Sequence, residues 1–459
     1  MQTLLSDSGS GLVLAPFRGI RYARDRVSGI ANVTSAPYDV ISGSILEHLR
    51  EADPHNVVRL ILPGEDADAA RTAADLLREW LSSGVLIRDR MPALYVYEQA
   101  DQAGSWRQRG IIGLVRLGSP QAAGILPHEN VMPGLVAGRL ELMAATQANL
   151  EPIFLIYDGE RAADAADPAG AADAADSADS AGRMGQVADG TATGVIDLVA
   201  AERAPLVSVS TEDGVTHRLW RIGNPGEQAT IAADLAGRRA LIADGHHRYA
   251  AYLDLQAEMR ASGRGPGPWD YGLAFLVDSG AYPPRLGAIH RVLPGLRPDR
   301  AAELAKAAFS VQDLPAGASL DQALGHLAAA GRDGTAFLLA GGTGFQLLSH
   351  PDPVQVAASM PSGVSAPWRD LDAAVQQHLL IGRLWGITDS ERDVLIDHDA
   401  ADAVLMAARL GATAVISNPP AFDAVIDIAA HGERVPRKST SFGPKPRTGL
   451  VLRTFGPAD

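Results

Sequence analysis

The chain has 459 residues, a formal net charge of -14 and no cysteine. That length predicts two or three domains, and the missing thiols exclude disulfides, thiolate metal sites and cysteine nucleophiles. The acidic balance argues against a general binder of nucleic acid or anionic membrane, but it leaves room for a small anion in a locally basic pocket.

With 46% apolar and only 5% aromatic residues, burial must rest on Ala, Leu, Val and Ile in regular elements. The first residues, Met1 to Asp7, carry neither a basic segment nor an apolar one, and no run approaches a membrane-spanning length. A soluble cytoplasmic protein acting on a small molecule is the expectation; oligomeric state is not encoded in any pattern seen here.

Taken in order, Ala15 to Gly19 and Ser35 to Ser42 read as strand-and-turn text, and Asn56 to Leu62 reads as a strand. A helix is expected from about Ala67 to Leu81, then paired strands over Ala93 to Gln99 and Arg109 to Leu117. Pro127-His128-Glu129-Asn130 closes this strand-rich region, and a helix carrying Arg139, Leu142, Met143 and Thr146 follows. From Arg161 to Thr193 the chain is rich in Ala, Asp, Gly and Ser with almost nothing large to bury, which predicts a disordered acidic insertion. Strands are then expected near Leu206 to Ser210, His217 to Ile222 and Gly272 to Val277.

The last third alternates helices (Pro298 to Ala308, Leu320 to Ala330, Leu371 to Leu384) with strands (Thr335 to Leu339, Val394 to Ile396, Ala414 to Ser417), and a final strand is expected over Leu450 to Phe455. The fold class is mixed α/β, of the α+β kind. Four regions follow: an N-terminal α/β region over 1–160, the insertion over 161–193, a core over 194–295 and a C-terminal α/β region over 296–459.

The most informative stretch is Leu241-Ile242-Ala243-Asp244-Gly245-His246-His247-Arg248-Tyr249. A short apolar strand reaches an acid and a turn glycine, and a helix should begin near His246 with Tyr249, Ala250, Leu253 and Ala257 on its buried stripe. Two imidazoles and a guanidinium would then stand at a helix start, where unpaired N–H groups and the positive dipole end favour an anion such as phosphate. An Asp-Gly turn before a solvated helix needs fewer such groups.

Three other clusters carry reactive groups. His128-Glu129 ahead of a helix suits acid/base work or a hard metal, and equally a helix cap beside a solvated histidine. His290-Arg291 reads as structural. Pro436 to Gly449 packs four cations, four hydroxyls and three prolines into a non-helical segment, with Lys438, Ser439, Thr440 and Lys445 suited to phosphate oxygens.

Together these motifs carry a resemblance. Ala15-Pro16-Phe17-Arg18-Gly19, Ala36-Pro37-Tyr38-Asp39-Val40-Ile41-Ser42, Asn56-Val57-Val58-Arg59-Leu60, His128-Glu129, Asn149-Leu150-Glu151-Pro152, Ala243 to Tyr249, His290-Arg291, Lys438-Ser439-Thr440 and Pro444-Lys445 resemble the domain of unknown function 1015 family nearly end to end. Gly138 before Arg139 departs from the Asp-Arg usual in that family. The Asp-Gly-His-His-Arg-Tyr-Ala box is also similar to that of the ParB/sulfiredoxin-like superfamily, which includes CTP-hydrolysing partition proteins and an ADP-dependent serine kinase.

The resemblance implies a ParB/sulfiredoxin-like nucleotide-binding core with an additional α/β domain, ATP or ADP with Mg²⁺ as cofactors, and serine metabolism as context. It points to a phosphotransferase acting on a small hydroxy-amino acid or its phosphoester. In that reading Asp39 or Glu129 acts as base, His246, His247, Gly245 and Arg248 hold phosphates, and Asp244 binds Mg²⁺ or orients His246. Lys438, Ser439, Thr440 and Lys445 close over the phosphoryl group, and Arg18, Asn56, His128 and Arg139 complete the substrate-binding candidates. Two alternatives stay open: a phosphoester hydrolase with a metal held by His128, Glu129, Asp244, His246, His247 and His290, and a non-catalytic nucleotide sensor.

Overall fold

The computed structural model describes residues 11–41, 43–119, 123–159, 190–342, 344–390 and 392–456. They divide into two compact units. The first comprises Met1–Leu126, Val131–Pro284 and Pro444–Asp459, and the second Pro127–Asn130 with Arg285–Gly443.

The first unit is built on a nine-stranded mixed sheet. Its order is Ile125–Leu126, Ala240–Asp244, Ile153–Tyr157, Tyr271–Asp278, Arg107–Arg116, Leu94–Asp101, Val215–Ile222 and Val207–Ser210, with Leu14–Ala15 added on Arg107–Arg116. The expected pairing of the two N-terminal strands is antiparallel, with Tyr95 opposite Ile112 and Val96 opposite Ile111. Ala240–Asp244 and Ile153–Tyr157 are buried along their whole length. That explains why they read as continuous apolar runs and show no alternation.

The helix His246–Ala261 starts where the sequence predicts, but its stripe is rotated. Arg248, Tyr249, Ala251, Tyr252, Leu255 and Gln256 are buried, whereas Ala257 is exposed. Tyr252 is the reason: its hydroxyl, with one proton to donate, lies between Glu151 O and Leu273 O at 3.2 and 3.3 Å, so the ring is drawn into the core. A second core lies around Ile20, Val57, Leu60, Trp80 and Leu86, covered by the helix Ala69–Ser82.

Several local expectations are corrected. Asn56 to Leu62 forms no strand; Val58–Ile61 is a single helical turn, because the Asn56 side chain accepts from Val58 N at 2.9 Å and starts the turn. The apolar run Val57 to Ile61 is buried either way, so hydrophobicity could not separate the two. Tyr38–Val40 is a 3-10 turn. Of the final strand Arg453–Thr454 pairs with Ala148–Asn149 and Leu452 forms a single antiparallel bridge with Ile20, while Leu450 and Val451 are buried outside any strand. Of the insertion expected over 161–193, residues 161–189 lie outside the described residues. Thr191 instead caps a helix, Ala192–Glu202, by accepting from Gly194 N at 3.0 Å.

The second unit holds a six-stranded antiparallel sheet, ordered Ser310–Asp313, Gln346–Ser349, Phe337–Ala340, Thr413–Ser417, His290–Leu293 and Leu395–Asp397. Both faces are covered: Phe337 and Leu339 enter one core, and Leu338 and Ala340 the other. The helices Pro298–Ala305 and Leu320–Gly331 form as expected, the first on an N-terminal proline. The helix expected over Leu371 to Leu384 is split into a short turn, Asp372–Ala374, and a π-helix, Val375–Leu384. Chain order does not set the unit boundaries. Pro127–Asn130 belongs to the second unit because Val435 N donates to His128 O at 2.8 Å and Arg434 to Pro127 O at 2.6 Å.

Candidate functional site

The site of the first unit grows from the turn between strand Ala240–Asp244 and helix His246–Ala261. Gly245 has φ 94°, in the left-handed region. A Cβ there would also stand 3.1 Å from Arg248 Nε and Ile153 Cγ2, so both conformation and space call for glycine. The turn presents Asp244 in a buried position between two cations. Arg248 donates to its Oδ2, and Lys445 Nζ lies 2.6 Å from its Oδ1. The same ammonium is paired with Asp39 Oδ2.

Burial alone would raise the Asp244 carboxyl, but the charges of Arg248 and Lys445 overcome it and hold it below the ordinary value. Burial would likewise lower Lys445, and Asp244 with Asp39 raises it instead. Asp244 and Lys445 are therefore both charged at neutral pH.

Behind this quartet sits a second polar layer. Glu151 Oε1 accepts from Tyr38 N at 3.1 Å and from Thr448 Oγ1 at 3.2 Å. Burial raises its carboxyl above the usual range despite the nearby Arg248 and Arg139. The Tyr38 ring carries Arg139 at 4.3 Å and Arg248 at 5.9 Å from its centroid. Arg139, Asn149, Glu151, Arg248 and Tyr252 line a cleft. Tyr38 and Glu151 lie within the Pro-Tyr-Asp and Leu-Glu-Pro motifs, yet neither was singled out from sequence. The signal was there: a glutamate in otherwise apolar text just before a proline.

Other candidates take different places. His246 is buried, and His247 Nε2 accepts from Met132 N at 3.1 Å. Arg18 is exposed and donates to Asp89 O at 3.0 Å. Asn56 is fully buried with Nδ2 on Asn32 O at 2.7 Å and its oxygen on Val58 N, which makes it a structural cap. Arg139 donates to Ile61 O at 2.9 Å.

Three sequence expectations need correction. Arg248 was read as a phosphate ligand, but the Asp244 carboxylate already neutralises it, and its other terminal nitrogen donates to Pro152 O. Asp244 was read as a Mg²⁺ ligand, but its two oxygens already hold Arg248 and Lys445, so its surroundings do not fit a metal. The residues of the hydrolase alternative are divided between the units, Asp244, His246 and His247 in the first and His128, Glu129 and His290 in the second. Among the described residues no group of three or more His, Asp or Glu could hold a metal ion.

Lys438 to Lys445 was expected to act as one phosphate loop. Lys445 belongs to the first unit, whereas Lys438, Ser439 and Thr440 belong to the second together with His128 and Glu129. There the Thr440 hydroxyl donates to Glu129 Oε1 at 2.9 Å and lies 2.9 Å from His128 Nε2. A hydroxyl has one proton to donate, so His128 carries its proton on Nε2 and donates to Thr440. Ser439 donates to Pro436 O, and Lys438 has a left-handed φ of 51°.

The sequence matches a family model described as a protein of unknown function, DUF1015, over residues 14–189 and 184–374. The chain belongs to that family. No curated protein matches it.

Solved structures similar to this DUF1015 chain include a free serine kinase in complex with AMP, at 15% identity and a TM-score of 0.31, covering 70% of this chain and 84% of that one. A conserved hypothetical protein from Pyrococcus furiosus matches at 12% identity and a TM-score of 0.32, over 72% of this chain and 90% of its own. A C-terminally truncated SbnI from Staphylococcus aureus matches at 10% identity and a TM-score of 0.33, over 72% and 82%. Among the described residues no helix is long and apolar enough to cross a membrane.

Proposed function

We propose that the first unit is a nucleotide-dependent phosphotransferase acting on a small hydroxy-amino acid or its phosphoester, of which serine and phosphoserine are the type. The observation that carries this reading is the Lys445 ammonium held between Asp39 and Asp244 at the start of helix His246–Ala261. An ammonium has three N–H donors, and two carboxylates occupy two of them. The third donor and the positive end of the helix dipole suit the oxygens of a transferring phosphoryl group.

Phosphoryl transfer asks mainly for positioning and fixed charge. In the proposed step the substrate hydroxyl oxygen bonds to the terminal phosphorus while the bond from phosphorus to the nucleotide oxygen breaks. The hydroxyl proton passes to the Asp39 carboxylate, and the nucleotide leaves one phosphate shorter. Asp39 is the more accessible of the two carboxylates, at 35% against 9% for Asp244, which suits it to the base. Arg248 becomes a positioning residue that fixes Asp244, and ATP or ADP brings any Mg²⁺ on its own phosphates. Phosphorus NMR of the purified protein with ATP or ADP and serine, or AMP or ADP and phosphoserine, should show phosphate exchange. Its absence in all four mixtures would sink the reading.

A further inference from the structure

The second unit holds a separate pocket, lined among others by Arg291, Asp372, Gln376, Ser417, Asn418 and Ser439. Arg291 is one of the largest fully buried side chains, at 1% exposure. It donates to Gln376 Oε1 and to Arg437 O at 3.1 Å, and its Nε is buried with no hydrogen-bond partner. No carboxylate stands within ion-pair distance of it among the described residues. The further charges acting on it, Asp389 and Arg437, pair with each other at 2.9 Å. Amide and carbonyl oxygens orient a guanidinium but do not neutralise it, and a buried cation without a counter-ion is costly.

Asp372 is the converse case. It lies on the same pocket, with only the Thr335 hydroxyl acting to keep it ionised, and burial pushes its carboxyl up to about 6. One pocket thus carries a guanidinium without an anion and a carboxylate without a cation, and hydroxyl and amide side chains also line it. A phosphate would satisfy the arginine and be repelled by the ionised aspartate. A molecule bearing both charges satisfies both.

We propose that this pocket is a binding site for a free α-amino acid, its carboxylate on Arg291 and its ammonium toward Asp372. The side chain then lies among the other lining residues, which include Asn418 and Ser439. The pocket lies wholly within the second unit, so it is additional to the phosphotransfer site proposed in the first. It also gives His290-Arg291, which reads from sequence as structural, a ligand-binding member.

Calorimetric titration of the full-length protein with L-alanine, propionate, ethylamine and inorganic phosphate tests this. Alanine has no hydroxyl and probes the pocket without serving as a phosphoryl acceptor. Alanine should bind at least ten-fold more tightly than the other three. Asp372→Asn should bring alanine down to the affinity of propionate, and Arg291→Gln should bring it down to that of ethylamine. Where Arg291→Gln fails to fold, Asp372→Asn at its half-buried position still decides. Lys445→Met, in the other unit, should leave alanine binding unchanged. The proposal is overturned by no alanine binding, by phosphate or propionate binding as tightly, or by unchanged affinity in Asp372→Asn. Loss of alanine binding in Lys445→Met would overturn it while leaving the phosphotransfer reading standing. The expected binding pattern without any phosphate exchange would overturn only the latter.

Discussion

Asp39, Lys445, Asp244 and Arg248 alternate in charge, each held by the next. Removing one member leaves its neighbour buried and uncompensated, which typically costs about 3–5 kcal/mol. Asp244→Ala should therefore destabilise the protein by about that amount in denaturant titrations. Because the folded Asp244 carboxyl is depressed below 3.8, its contribution is fully present above that value and is lost as pH falls through the folded value. The wild type should lose stability faster than the variant as pH falls below about 4. Asp39 separates binding from chemistry: Asp39→Asn should keep nucleotide affinity and lose phosphate exchange by about 10²-fold or more, as expected for removal of a general base. Retained exchange would place the base elsewhere. The types of the residues at this site were readable from the chain, and so was the anion-friendly turn. That Arg248 turns inward was not, because nothing in the sequence says which acceptor a guanidinium will meet.

The turn at Gly245 was legible at the level of elements, since an apolar strand, Asp-Gly and a helical pattern agree with one another. Gly245→Ala should cost about 2 kcal/mol, the sum of a left-handed backbone penalty and the tight contact with Arg248 and Ile153. A melting temperature equal to the wild type would contradict the strained geometry. The segment Asn56 to Leu62 shows the limit of pattern reading. Its apolar run suits a strand or a buried helical turn, and the decision lies with Asn56, whose side chain binds backbone at Asn32 and Val58. Asn56→Ala should lower stability by about 2–4 kcal/mol, an orphaned acceptor at Asn32 O and an uncapped donor at Val58 N together, without changing nucleotide affinity. A selective loss of affinity would restore Asn56 to the binding residues.

Across the whole molecule each unit has its own sheet and its own apolar cores. Scanning calorimetry should therefore resolve two unfolding transitions, with a calorimetric enthalpy exceeding the van't Hoff value. A single transition with equal enthalpies would mean that the units unfold as one. The chain by itself determined the mixed α/β class, the paired strands Leu94–Asp101 and Arg107–Arg116, the strand-turn-helix at Gly245 and the acidic field that disfavours polyanions. Those follow from periodicity, turn chemistry and charge, which are local or additive. Only tertiary structure decided that Lys445, about two hundred residues beyond Asp244, neutralises it, while Lys438 to Thr440 serve the other unit with His128 and Glu129. Such pairings depend on where the backbone returns, and the residues between contacts carry no record of that distance.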